Sequence, residues 1–124
     1  MIQCFYKEGC YKSIAGDLIR GHTDAIILAR LLQSDSYGYE INKMISTLSS
    51  GRFELKEATL YTAFKRLEDA GLIASYWGDS GAGARRRYYT ITSSGRNTCH
   101  QLLQEWAETK EIIDKLLDME VTKK

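Results

Sequence analysis

Within residues 58–73 (ATLYTAFKRLEDAGLI), Leu60, Ala63, Phe64 and Leu67 recur at three- and four-residue intervals. That spacing predicts a helix with one apolar face, and it places Thr59, Thr62, Lys65, Arg66 and Asp69 on the opposite, polar and partly basic face. Gly71 is the expected C-terminal stop, because glycine enters the left-handed region without steric cost. Upstream, the pattern becomes helical from Gly16, and residues 25–32 (AIILARLL) are apolar almost all round apart from Arg30, so this helix is expected to be buried on two sides. After a polar break at 33–36, Ser36 is the expected cap of a helix YGYEINKMIS with Tyr37, Ile41, Met44 and Ile45 along one stripe. Residues 46–56 read as a linker with a turn at SSG and anchors at Phe53 and Leu55. Residues 72–92 then form two β-prone runs around the glycine-rich tip GDSGAGA, with Tyr89 and Ile91 facing in and Arg86, Tyr88 and Thr90 facing out. Thr92 is the expected cap of a last helix, 94–119, whose apolar positions Cys99, Leu102, Leu103, Trp106, Ile112, Ile113, Leu116 and Leu117 make a broad stripe.

Helix, linker, polar-faced helix and basic hairpin together predict a mainly α (α+β) fold: a winged helix-turn-helix with a two-stranded wing and a long C-terminal dimerisation helix. The chain divides into an N-terminal arm (1–15), a winged domain (16–93), a dimerisation helix (94–119) and a tail (120–124). Packing of the last helix on its own domain, or of the 25–32 helix wholly within a monomer, is the alternative at each seam. Lys56 stands where a capping Ser, Thr or Asp is usual; it suits a phosphate contact as well as a plain surface position.

Net charge is only +1, but it is polarised. Residues 56–96 carry seven Lys/Arg against four Asp/Glu, a balance of +3, whereas 97–124 carry four against six, a balance of −2. The hairpin contributes Arg85, Arg86 and Arg87 in succession. Where charge sits, more than its total, marks a nucleic-acid binder. Three cysteines without a CxxC pair indicate neither a disulfide framework nor a zinc site, and Cys99 and His100, being adjacent on a helix, point in different directions. His22 and His100 are the only histidines and have no nucleophile or carboxylate partner by spacing, and the GDSGAGA tip lacks the lysine and hydroxyl of a phosphate-binding loop. The expectation is a non-enzymatic cytoplasmic protein without cofactor, metal or membrane span.

Several signatures in order resemble the PadR family of winged-helix transcriptional regulators, in its small subfamily with one C-terminal dimerisation helix. They are Tyr37-Gly38-Tyr39-Glu40-Ile41, Ala58-Thr59-Leu60-Tyr61, Lys65-Arg66-Leu67-Glu68 with Gly71-Leu72-Ile73, and Arg85-Arg86-Arg87-Tyr88-Tyr89 with Thr92 and Gly95. The stretches EATLYTAFKRLE and SYWGD, with Glu105-Trp106, are most similar to the multidrug-binding repressors of drug-efflux genes. That resemblance implies a flat pore at a dimer interface where paired tryptophans sandwich planar aromatic drugs. It places Trp106 on that tryptophan, Leu18, Ala25 and Leu103 along the pore, and Asp24 at its edge. Lys110 occupies the position of an acidic residue that attracts cationic drugs in close relatives, leaving Glu105, Glu111 and Asp24 as the available carboxylates. Thr62 replaces a proline common in the wider family, as in the drug-binding branch. From the residues alone, Trp106 reads first as a core residue, and it is the resemblance that turns the reading toward ligand contact.

The function expected is a homodimeric repressor bound to a near-palindromic double-stranded operator and released by planar aromatic ligands. Lys56, Thr59, Tyr61, Thr62, Lys65 and Arg66 would meet bases and phosphates, with Arg85, Arg86 and Arg87 meeting the backbone or minor groove. Ile26, Leu102, Trp106, Ile113, Leu116 and Leu117 would form the dimer seam, and Leu18, Asp24, Ala25, Leu103, Trp106 and Lys110 the ligand site. The rival reading is a winged-helix protein-interaction module that binds no DNA.

Overall fold

The structure, a computed structural model, describes residues 16–79 and 85–118. The expected arm, the tail and the tip at 80–84 lie outside the described residues. After a helical segment at 16–20, the elements are α1 (Thr23–Gln33), β1 (Ser36–Tyr37), α2 (Gly38–Leu48), α3 (Glu57–Asp69), β2 (Ile73–Asp79), β3 (Arg85–Ile91) and α4 (Ser93–Leu117). The strands form one antiparallel sheet in the order β1-β3-β2.

The two-stranded wing that the sequence predicts is present as the β2–β3 hairpin, and β1, which the sequence reading did not include, adds a third strand at its edge. Ser36 and Tyr37 pair with Tyr89 and Tyr88 across β1 and β3. This also corrects two assignments. Ser36 is a buried strand residue whose hydroxyl donates to Glu40, so it does not cap α2, and Tyr37 lies before that helix instead of on its apolar stripe. The helical pattern from Gly16 is broken by a turn at Gly21-His22, where the backbone N–H of His22 donates to the Ile19 carbonyl.

One core unites all the helices. Ile27, Leu28 and Leu31 of α1, Ile41 and Ile45 of α2, Leu60, Ala63, Phe64 and Leu67 of α3, Ile73, Tyr89 and Ile91 of the sheet and Cys99 of α4 are buried together. Phe64 stacks on Tyr89 with ring centroids 4.0 Å apart, locking α3 to the wing. Burial pushes the Cys99 thiol pKa up and makes it a small core hydrophobe. Arg30, the one charge in the apolar α1 stretch, reaches Glu40 of α2 at 3.8 Å and so ties the two helices.

The loop between α2 and α3 sets the angle of α3, and side chains hold it. Asn42 donates to the Leu55 carbonyl at 2.7 Å and accepts from the Leu55 N–H at 3.0 Å, while the Ser49 hydroxyl accepts from the Phe53 N–H at 3.0 Å. Phe53 and Leu55 are buried, as anchors should be. At the far end, α3 stops at Asp69, four residues before the end of the predicted stretch, because Gly71 takes φ 78° and Ile73 has already entered β2.

The start of α4 is fixed by Thr92. Its hydroxyl accepts from the Gly95 N–H at 3.0 Å and donates toward the Gly71 carbonyl at 2.8 Å, joining α4 to the end of α3. Gly95 lies so close to that junction that an added Cβ would sit 2.1 Å from the Leu72 carbonyl oxygen. Gly95→Ala therefore forces α4 away from the wing. Overpacking against backbone of this kind costs about 3 kcal/mol, and a melting temperature lower by roughly 10 °C is the expected result. A variant melting within a degree of wild type would mean that the junction accommodates the methyl group.

Candidate nucleic-acid interface and adjoining cavity

The outward face of α3 is polar because its apolar positions are spent on the core. Leu60, Ala63, Phe64 and Leu67 are all at most 2% exposed, which leaves Tyr61, Thr62, Lys65 and Arg66 outside and Thr59 half-buried on the flank toward α1. Lys56 takes the N-cap position in extended conformation, makes no side-chain capping bond and is exposed. Tyr61 packs edge-on against Phe64 at 5.5 Å, so its ring is held while its surface remains accessible. Lys65 pairs with Asp69 on its own helix at 3.4 Å. A shallow cleft of about 340 Å³ runs along the α1 flank, lined by Arg20, Thr23, Ala58, Thr59, Thr62 and Arg66.

The wing continues this surface. Arg85, Arg86 and Arg87 are exposed, whereas Tyr89 and Ile91 further along the strand are buried, so β3 passes from core to solvent within its length. Arg87 extends to Glu68 of α3 at 3.5 Å, and Glu68 also accepts from the Ser75 hydroxyl at 2.8 Å. This small network fastens wing to helix. Arg85 and Arg87 lie over the ring of Trp77, at 5.4 and 6.0 Å, and Arg86 lies over Tyr37 at 4.6 Å on the opposite sheet face. Tyr76 and Tyr88 stack beside it, and Tyr76 donates to Asp35 at 2.6 Å, a bond that pushes its phenol pKa up from 10.0. Burial likewise raises the Tyr89 pKa, with Arg87 acting in the opposite direction.

A second concavity lies behind α3, between α1 and α4. One lobe, about 350 Å³, is lined by Leu18, Ile19, His22, Ala25, Ile26, Ala29, Leu102, Leu103 and Trp106, and is almost wholly apolar. The adjoining lobe, about 520 Å³, adds Asp24, Arg66, Glu105, Thr109 and Ile113. His22 meets the Trp106 ring edge-on at 4.7 Å, its Nδ1 lying 3.0 Å from the Leu18 carbonyl. Of the ligand-site residues named from sequence, Leu18, Asp24, Ala25, Leu103 and Trp106 are thus brought together, while Lys110 is exposed on α4 and is not among the lining residues.

Beyond Cys99, α4 leaves the core. Leu102 packs partly against it, but Leu103, Trp106, Ile113, Leu116 and Leu117 are 42–74% exposed along one face of the helix. Among the described residues no helix is long and apolar enough to cross a membrane, and no group of three His, Cys, Asp or Glu could hold a metal.

Sequence reading passed over several participants. Trp77 and Tyr37 as platforms for the wing arginines, Glu68 as the link between wing and α3, and His22 as the lid on Trp106 all depend on pairings between distant segments. Strand register alone could have found Trp77, which faces Arg87 across the hairpin.

The model of the PadR-like family of transcriptional regulators matches residues 27–101. An uncharacterized protein X of Lysinibacillus sphaericus is 49% identical over 105 residues, covering 85% of this chain and 96% of that protein. A transcriptional regulator from Clostridium thermocellum has a similar structure, with TM-score 0.74 and 46% identity over 82% of this chain and 95% of that one. Bacillus subtilis PadR in complex with operator DNA aligns at TM-score 0.58 and 26% identity, covering 64% of this chain and 45% of that one. From α1 to the first turns of α4, in sequence and in fold, the chain belongs to the PadR-like family of transcriptional regulators.

Proposed function

We propose that this regulator is a homodimeric repressor, with α3 in the major groove and the β3 arginines on the adjoining backbone or minor groove. One observation carries the reading: the Arg87–Glu68 contact, above the Phe64–Tyr89 stack, sets the wing beside α3, so the polar face of the helix and the arginine strand adjoin. Lys56, Thr59, Tyr61, Thr62, Lys65 and Arg66 then meet bases and phosphates, with phosphate contacts setting register and base edges setting sequence. The B. subtilis relative solved on operator DNA supports the same partner here.

Dimerisation follows from α4. Trp106, Ile113, Leu116 and Leu117 form an unpartnered apolar face of a kind that soluble proteins cover, and Ile26 and Leu102 lie beside it. Two such helices joined about a two-fold axis place the recognition helices in successive major grooves, with half-sites about 10 bp apart or a multiple of that. The α1/α4 cavity opens at the same seam. A planar aromatic ligand stacked on Trp106 changes the angle between the two winged domains, and it shifts DNA binding only by its differential affinity for the two arrangements.

The test is fluorescence anisotropy of a duplex from the region upstream of the regulator's own gene, at low and moderate salt, with and without a planar aromatic dye that does not intercalate. Salt-sensitive binding weakened by dye supports the whole reading. Indifference to dye removes the ligand step and keeps the repressor. A protein that binds no candidate operator at low salt is instead an interaction module, with acidic partners on the same arginines.

A further inference from the structure

Asp24 and Arg66 stand 42 residues apart in sequence and form an ion pair between α1 and α3. Asp24 belongs to the first turn of α1, where the helix dipole favours a carboxylate. Arg66 belongs to the last turn of α3, on the flank that carries Thr59 and Thr62. Their side chains are 40% and 54% exposed, so the pair is reachable by a third group and neither charge is locked in the core. Lys65, by contrast, pairs within its own helix, and its ammonium can swing out without loosening any contact between elements.

Arg66 lines both the cleft along the outer flank of α3 and the lobe behind it that contains Asp24 and Trp106. A guanidinium at that boundary can face a carboxylate on one side or a phosphate on the other, since both accept its planar fork in the same way. Asp24 holds it through Nη2 alone, so a phosphate that takes the fork through both terminal nitrogens competes with the carboxylate for that nitrogen.

We propose that Asp24 is an internal stand-in for a DNA phosphate: it positions Arg66 in the free protein and must give it up when the operator binds. Asp24 is thereby a positioning residue that holds operator affinity below what the basic surface alone would reach. The inference rests on the repressor reading above. An exposed pair of this kind shifts an equilibrium by about two- to fivefold, and in a dimer it counts twice, for a combined effect of about four- to twenty-five-fold.

The experiment is a double-mutant cycle on operator binding in the full-length protein: wild type, Asp24→Asn, Arg66→Ala and the double variant, each first checked for unchanged melting and oligomeric state. Asp24→Asn is expected to tighten binding by that factor when Arg66 is present and by much less when it is alanine. The residual gain in the Arg66→Ala background measures the long-range effect of removing a negative charge, so the difference isolates the pair. Arg66→Lys is the second variant, keeping the charge but not the fork, and it should show an intermediate gain. An equal gain in all backgrounds, or none in wild type, overturns the proposal while leaving the repressor reading intact. Failure of every variant to bind DNA overturns the repressor reading itself, and this proposal with it.

Discussion

Arg86→Ala is expected to weaken operator binding about ten- to hundredfold at moderate salt, and to do so on specific and unrelated duplexes alike. The reason lies in what holds each wing arginine. Arg87 is drawn to Glu68 at 3.5 Å, which neutralises part of its charge before DNA arrives. The described contact of Arg86 is the face of Tyr37, at 4.6 Å, which orients the guanidinium without cancelling its charge. Among the described residues Arg86 has no carboxylate partner, so its charge is available to a phosphate from the orientation that Tyr37 favours. Removing it from both protomers takes away two phosphate contacts, and the slope of log affinity against log salt should flatten by about 2. Arg87→Ala should flatten the slope less and lower stability slightly, because it also cuts the link to α3. If Arg86→Ala leaves the slope unchanged, the wing does not meet the backbone where β3 now points.

How far the sequence reveals this surface depends on the distance over which each feature is encoded. The polar face of α3 is legible because Leu60, Ala63, Phe64 and Leu67 repeat at helical spacing, and all four are buried. Thr92 as a cap and the inward Tyr89 and Ile91 are legible for the same reason: each follows from neighbours a few residues away. β1 is not legible. Two residues, Ser36 and Tyr37, are too few to show alternation, and their pairing partners lie more than fifty positions on. The ion pair of Asp24 with Arg66 and the contact of His22 with Trp106 are hidden in the same way, since no local pattern records which helices cross. The apolar stripe of α4 is written in the sequence, but its exposure is not. Periodicity shows that a face exists, and only the fold shows that Cys99 and Leu102 use it within the domain while Trp106 and the positions beyond it stay partly or largely exposed.

That division along α4 underlies the expected behaviour of Trp106→Ala: ligand response lost, with operator binding largely retained. Trp106 is 44% exposed and touches His22 edge-on, so its removal leaves no hole in the core and should change monomer stability little. A planar ligand stacked against the indole gains aromatic contact and buried apolar area. Losing one such face should cost about 2 kcal/mol, or roughly thirtyfold in ligand affinity. The protein has two tryptophans, and the other, Trp77, is 57% exposed on the wing. In a Trp77→Phe background, indole fluorescence reports on Trp106 alone, and quenching by a planar dye follows occupancy of the cavity directly. Quenching that is absent while DNA binding persists would assign the cavity no ligand of this kind. Sedimentation separates the remaining alternative. If Trp106→Ala dissociates the dimer and abolishes operator binding, the indole is a seam residue whose work is to hold two winged domains at the spacing of successive major grooves. If the dimer survives and only the dye response disappears, Trp106 connects a small molecule to the DNA-bound arrangement.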